Sequence, residues 1–192
     1  MTPVLRAAAL ACVLTTCLGC VRQPEAEVDR RLRVVHRERE PERLIARARA
    51  LSQIGDFTRA EQYLQAARDG GAPEREVLPL LIQVCMQDQR YRAAVAHIEE
   101  HLRQHPSHYP LRFVLGTLYS GLGEPESARR ELEAVLSLAP RHAEAHFFLA
   151  TVLRRDLGNF RDADRHFRAY LELEPKGAHV AEARSALLSR VP

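Results

Sequence analysis

The sequence predicts an all-α fold in which about four helix hairpins stack side by side. Three observations predict it. Ala94 and Ala128, Pro106 and Pro140, and Gln89 and Gly123 are each 34 residues apart, and Gly123–Gly158, Ala128–Ala163 and Pro140–Pro175 are each 35 apart. A fixed period of this length is the mark of stacked helical units. Within a unit, apolar residues fall at helical spacing in two blocks, as in Leu111, Leu115, Leu118 and Leu122, then Ala128, Leu132, Val135 and Leu136. Breakers separate the blocks: Gly121-Leu122-Gly123-Glu124 divides them, Pro125 suits the first turn of the second helix, and Pro140 ends the unit. The 192 residues are 46% hydrophobic and 28% charged, with only four cysteines, which excludes collagenous, disordered and disulfide-dense classes. A net charge of +3 gives no strong steering field toward nucleic acid.

The first element is a leader. Arg6 precedes an apolar run from Ala7 to Leu18, the layout of a bacterial export signal. As a helix those residues would span about 18 Å against roughly 30 Å of bilayer hydrocarbon, too short for a permanent span. The run ends Cys17-Leu18-Gly19-Cys20, which resembles the lipobox of bacterial lipoproteins and departs from it at Cys17, where that family carries Leu. The resemblance implies removal of residues 1–19 and acylation of Cys20. Cys17, preceded by Thr16, is the second candidate acceptor, and a plain secretory signal is the alternative reading. Val21 in place of Asp implies the outer membrane, with the chain facing the periplasm. Three acyl chains, at about 0.8 kcal/mol per buried methylene, make a near-permanent anchor. Residues 20–27 are then a tether. Cys12 and Cys17 leave with the leader, so Cys85 has no partner for an internal disulfide. It lies in the apolar stretch Leu81–Met86 and reads as a small buried hydrophobe.

Residues 28–40 read as an N-terminal helix with a stripe of Val28, Leu32 and Val35. The nearby arginines, Arg30, Arg31, Arg33, Arg37, Arg39 and Arg43, alternate with Asp29, Glu38, Glu40 and Glu42, as on a solvated face. Four units follow at 41–74, 75–108, 109–142 and 143–176. In the third, Leu115, Gly116, Tyr119, Gly123, Ala128 and Pro140 resemble the signature of the tetratricopeptide repeat, a resemblance that extends over roughly residues 41–176 and implies a right-handed α-solenoid. Gly116 and Ala128 are small so that the paired helices can approach closely. The first unit has Gly55, Asp56, Phe57, Ala60, Leu64 and Ala67, with Pro73 one residue late. The second has Gln89 at the turn, His101 where a small residue is usual, and Pro79 inside its first helix, where a kink is expected. The fourth has one extra residue between Ala145 and Gly158, which implies a bulge or a longer turn. Residues 177–192 form a capping helix through Val180, Ala183, Ala186, Leu187 and Val191.

The resemblance places function on the concave surface lined by the first helix of each unit. Its slots assign Ile45, Pro79, Phe113 and Phe147 to an apolar rail, and Arg49, Gln83, Thr117 and Thr151 to a polar one. Gln53, Met86, Ser120, Arg154 and Arg155 extend the surface. Rings on a rigid concave face suit a peptide or a partner helix, although Phe113, Phe147 and Phe148 equally suit contacts between neighbouring helices. The Lys/Asn/Arg clamp for C-terminal carboxylates is not reproduced, because Thr117 and Thr151 replace the asparagine.

His97-Ile98-Glu99-Glu100-His101 fits H-x-x-E-H, the inverted zinc-hydrolase pattern, with His105 and His108 extending its face. It falls inside the second helix of a repeat and has no identifiable third ligand, so neither a metal nor another cofactor is expected. No Ser-His-Asp spacing or phosphate-binding glycine loop is present, and neither a small-molecule substrate nor nucleic acid is expected. The functional expectation is a non-catalytic scaffold in the bacterial envelope, similar in design to the repeat lipoproteins that help secretin rings and type IV pili assemble. The alternatives are an adaptor recruiting cell-wall enzymes and a zinc hydrolase built on His97, Glu100 and His101.

Overall fold

A computed structural model describes residues 40–187. The expected leader, Cys20, the tether, residues 28–39 and Val191 lie outside the described residues. The described chain is all-α, a solenoid of helix hairpins. Its helices are α1 (Pro41–Gln53), α2 (Phe57–Asp69), α3 (Glu74–Gln87), α4 (Tyr91–Gln104), α5 (Tyr109–Gly121), α6 (Pro125–Leu138), α7 (Ala143–Arg155), α8 (Phe160–Leu173) and α9 (Val180–Ala186). None of them is long and apolar enough to cross a membrane. Each odd-numbered helix from α1 to α7 pairs with the helix after it, and each hairpin then packs on the next.

Local chemistry sets the helix starts. Pro41, Pro110 and Pro125 occupy the first turns of α1, α5 and α6, where a missing N–H costs nothing. The side chains of Asp56, His142 and Asn159 accept backbone N–H bonds at the starts of α2, α7 and α8. The turn inside each hairpin needs one residue at positive φ. Gly55, Gly123 and Gly158 supply it in three hairpins, and Gln89, at φ 56°, supplies it in the second. The extra residue of the fourth unit is absorbed in this turn: residues 156–159 separate α7 from α8, whereas three residues separate the helices of every other pair. Pro79 sits in α3 without ending it.

The period reappears in the core. Ala60, Ala94, Ala128 and Ala163 are all buried, as are Leu64, Ile98, Leu132 and Phe167 one turn later. A Cβ built on Gly116 would lie 2.9 Å from Leu132 Cγ, so glycine permits the close crossing of α5 and α6. The matching slots hold Ala48 and Ala150 in the first and fourth hairpins but Ile82 in the second. There α3 and α4 pack less extensively than the other pairs, as the larger side chain at the crossing dictates. At the C-terminal end, Ala183 is buried, and Val180, Ala186 and Leu187 pack on the last core cluster.

Candidate functional site

The inner helices α1, α3, α5 and α7 carry the residues assigned to the groove. Between α1 and α3 lies a cavity of about 290 Å³. Arg49, Ser52, Gln53, Gln83 and Gln87 form its polar wall, and Ala48, Leu64, Leu80 and Val84 its apolar one. Ser52 Oγ donates to Gln87 Oε1 at 2.9 Å, tying the two helices together. Arg49 and Gln83 are both exposed here, so two of the predicted residues are brought together in one cleft.

Thr117 and Thr151 are half-buried, and their hydroxyls are already committed as donors. Thr117 donates to the carbonyl of Val114 at 2.8 Å and Thr151 to that of Phe147 at 3.0 Å. Toward a partner they offer acceptor lone pairs and a methyl group. Phe113 is half-buried, with its ring 4.8 Å from His142 and 5.6 Å from Phe148 between centroids.

One assignment is corrected, and a second residue is engaged within the fold. Phe147 is buried, sandwiched between the aromatic core of Phe167 and Tyr170 and a stacked His179, whose ring centre lies 4.1 Å away. The 177–179 turn brings His179 over it, so Phe147 is core and not a groove anchor. Arg154 is engaged internally: its Nη1 donates to the Ala186 carbonyl at 2.6 Å, satisfying an orphan acceptor at the end of α9, and its guanidinium lies over Phe160. Ile45, on the same apolar rail, is also buried, whereas Pro79 is exposed.

The H-x-x-E-H residues are not brought together. His97 Nε2 lies 3.3 Å from Glu61 of α2, His101 Nδ1 lies 3.0 Å from Glu74 of α3, and Glu100 is exposed and paired with Arg103. Burial tends to raise the Glu61 carboxyl, but hydrogen bonds from Arg90 and His97 outweigh it and hold it below the usual range. Burial is the main cause that pushes the Cys85 thiol up to about 11; the charge of Glu61 adds to the rise and Arg90 only partly offsets it. Cys85 is therefore a protonated core residue and not a nucleophile.

Sequence reasoning missed a larger hollow of about 820 Å³ between α3, the end of α4 and the start of α5. Leu78, Pro79, Ile82, Leu111 and Val114 line it, with His101, His105, His108 and Glu74 at its edge. The signal was present in the period, since Ile82 falls in the slot that Ala48, Gly116 and Ala150 keep small. A second missed contact is the His146–His166 pair, with Nδ1 atoms 2.9 Å apart. His146 Nε2 donates to the Pro140 carbonyl at 3.0 Å, which leaves His146 Nδ1 to accept from His166 Nδ1–H.

Models of the tetratricopeptide repeat family match residues 45–109 and 86–150 of the chain. Among solved structures, a tetratricopeptide repeat protein from Parabacteroides merdae is similar, with 23% identity and a TM-score of 0.67 over 76% of this chain and 58% of that one. The chain therefore spans less than two thirds of that relative's length. The MamA protein is 18% identical over 88% of this chain and 91% of its own, with a TM-score of 0.61. YrrB, described as a TPR protein with an unusual peptide-binding site, is 14% identical over 84% of this chain and 86% of its own, with a TM-score of 0.64. At these identities the likeness is one of fold. No curated protein matches the chain.

Proposed function

The chain belongs to the tetratricopeptide repeat proteins, and from that premise we propose that it is a non-catalytic scaffold of the bacterial envelope. In this reading it is anchored to the outer membrane through Cys20 and faces the periplasm, where it docks or helps assemble a larger complex of the secretin, pilus, secretion or motility type. Repeat proteins of this family bind protein or peptide partners, and the cleft between α1 and α3 is the observation that carries the reading here. Its amide and guanidinium groups, from Arg49, Gln53, Gln83 and Gln87, stand over an apolar wall. Such a surface suits an extended peptide, whose backbone needs both donors and acceptors and whose alternate side chains need an apolar seat. Farther along, Phe113 offers part of one ring and Thr117 and Thr151 offer acceptors, so the partner-facing set is Arg49, Gln83, Phe113, Thr117 and Thr151. The peptide-binding site in the description of YrrB is in keeping with this use of the fold.

The test has two arms. Partner recovery from detergent-solubilised envelope is compared for wild type and for Gln83→Ala plus Phe113→Ala, with Glu133→Ala on the exposed face of α6 as control. Loss of one reproducible partner in the double variant alone supports the groove, and unchanged recovery overturns it. A secretin-type partner would favour the assembly role, and a cell-wall hydrolase would replace it with the adaptor role. Cys20→Ser should move the protein from the membrane to the soluble fraction; its retention on membranes washed in salt would overturn the lipid anchor.

A further inference from the structure

We propose that Glu74, His101 and His105 form a binding site for a divalent transition-metal ion, with His108 orienting His101. Two neighbouring helices supply the donors. Glu74 is the first residue of α3, His101 lies in the last turn of α4, and His105 caps that helix. His101 Nδ1 is 3.0 Å from Glu74 Oε1, and His105 Nε2 is 3.9 Å from Glu74 Oε2. One donor atom from each of the three residues lies within 4.8 Å of the other two. Tetrahedral zinc with arms of about 2.0–2.1 Å holds its donors roughly 3.3 Å apart, so shifts of about an ångström or less in flexible side chains would seat the ion.

The surrounding contacts fit the same purpose. His108 Nδ1 lies 2.9 Å from His101 Nε2, the outer-shell hydrogen bond that a ligating imidazole uses to fix its ring and tautomer. The rings of His101 and His105 are 4.6 Å apart between centroids, tilted by 37° to each other, and both line the large hollow. Two imidazoles and one carboxylate suit zinc, nickel or copper, whereas magnesium and calcium take oxygen donors in greater number. A fourth position stays open for water or for a side chain of a partner. The bound ion would clamp the start of α3 to the end of α4, across the hairpin that Ile82 keeps from packing closely.

A second cluster, Glu61, Cys85 and His97, makes the contrast. There the Arg90 guanidinium already sits 2.6 Å from Glu61 Oε2, so the carboxylate has its cation. The Cys85 thiol is buried and held protonated, so an ion would have to displace both a guanidinium and a proton. Glu74, by contrast, pairs with the imidazoles of His101 and His105.

The experiment is a zinc chloride titration of the full chain, purified without a polyhistidine tag and stripped with chelator, read by calorimetry and by thermal melting. One ion per chain is expected, with a Kd of about 1 μM or lower. His105→Ala and Glu74→Gln should each weaken binding by roughly tenfold or more, and His108→Ala should do so as an outer-shell change. The side chains of His105 and Glu74 are well exposed, so both variants should keep the wild-type helical circular dichroism. His97→Ala should leave the affinity unchanged, and magnesium chloride should give no saturable heat. Absence of saturable zinc binding, wild-type affinity in both His105→Ala and Glu74→Gln, or loss of binding in His97→Ala would each overturn the assignment.

Discussion

The close crossing of α5 and α6 at Gly116 can be probed by adding one methyl group. In Gly116→Ala the new Cβ would stand 2.9 Å from Leu132 Cγ, 3.1 Å from its Cδ2 and 3.4 Å from the Ala128 carbonyl oxygen. Ordinary carbon contacts sit near 3.5–4.0 Å, so Leu132 must retreat by roughly 0.5–1 Å. Leu132 is fully buried, and the packed layer around it has nowhere to send the displaced atoms. Overpacking of this kind costs about 1–3 kcal/mol, while replacing a mid-helix glycine by alanine returns about 0.8–1.0 kcal/mol of helix propensity. The net expectation is destabilisation of up to about 2 kcal/mol. Gly121→Ala is the internal control: it lies in the same helix, with nothing within 4 Å of its Cβ, and should be neutral or stabilising by up to about 0.5 kcal/mol. Urea unfolding followed by circular dichroism measures the two shifts, and hydrogen exchange should place the loss in α5 and α6, because repeat stability is a sum of local terms. Equal midpoints for the two variants would refute the close-approach argument.

Two further outcomes follow from the same structure. Gln89 holds the left-handed turn position that glycine fills in the other hairpins, so Gln89→Gly should relieve about 1–2 kcal/mol of backbone strain. After the entropy that glycine costs, a gain of about 0.5–1 kcal/mol remains, read as a higher urea midpoint; a lower midpoint would show that the turn is unstrained. His166 has its pKa lowered from 6.5 to about 4, first by burial and then by the charges of His146 and Arg165. Between pH 6.5 and 4 the unfolded chain therefore binds a proton that the folded chain refuses, so this stability is fully present above 6.5 and lost as pH falls toward 4. Discounted for the ring's partial exposure, the loss is about 1–2 kcal/mol. His166→Gln should remove that share of the acid sensitivity, and an unchanged pH dependence of the urea midpoint would contradict it.

Much of the fold was legible because a repeat writes its packing several times. Ala60, Ala94, Ala128 and Ala163 announce where two helices cross, and each is buried where the period places it. The turn at Gln89 was readable for the same reason, since its neighbours in register are glycines. The groove was less legible because a slot fixes a direction and not an environment. Phe147 and Phe113 share a slot, yet His179, from a segment outside the repeat, closes over one and not the other. Arg154 was likewise claimed by the Ala186 carbonyl, a contact that joins residues 32 positions apart. The histidine pattern on α4, set aside on sequence because it falls inside a repeat helix, is split in the fold: one turn separates His97 from His101, but α2 offers a carboxylate to the first and α3 to the second.

The central claim is that a partner lies along the inner helices, and photo-crosslinking tests it most directly. A photoreactive residue is placed in turn at Gln83 on α3, at Phe113 on α5 and at Glu133 on the exposed face of α6, and the full chain is irradiated in its native envelope. Crosslinks from positions 83 and 113 to one and the same protein, with none from position 133, are the predicted result. A partner captured from position 133 but not from 83 or 113 would contradict the account.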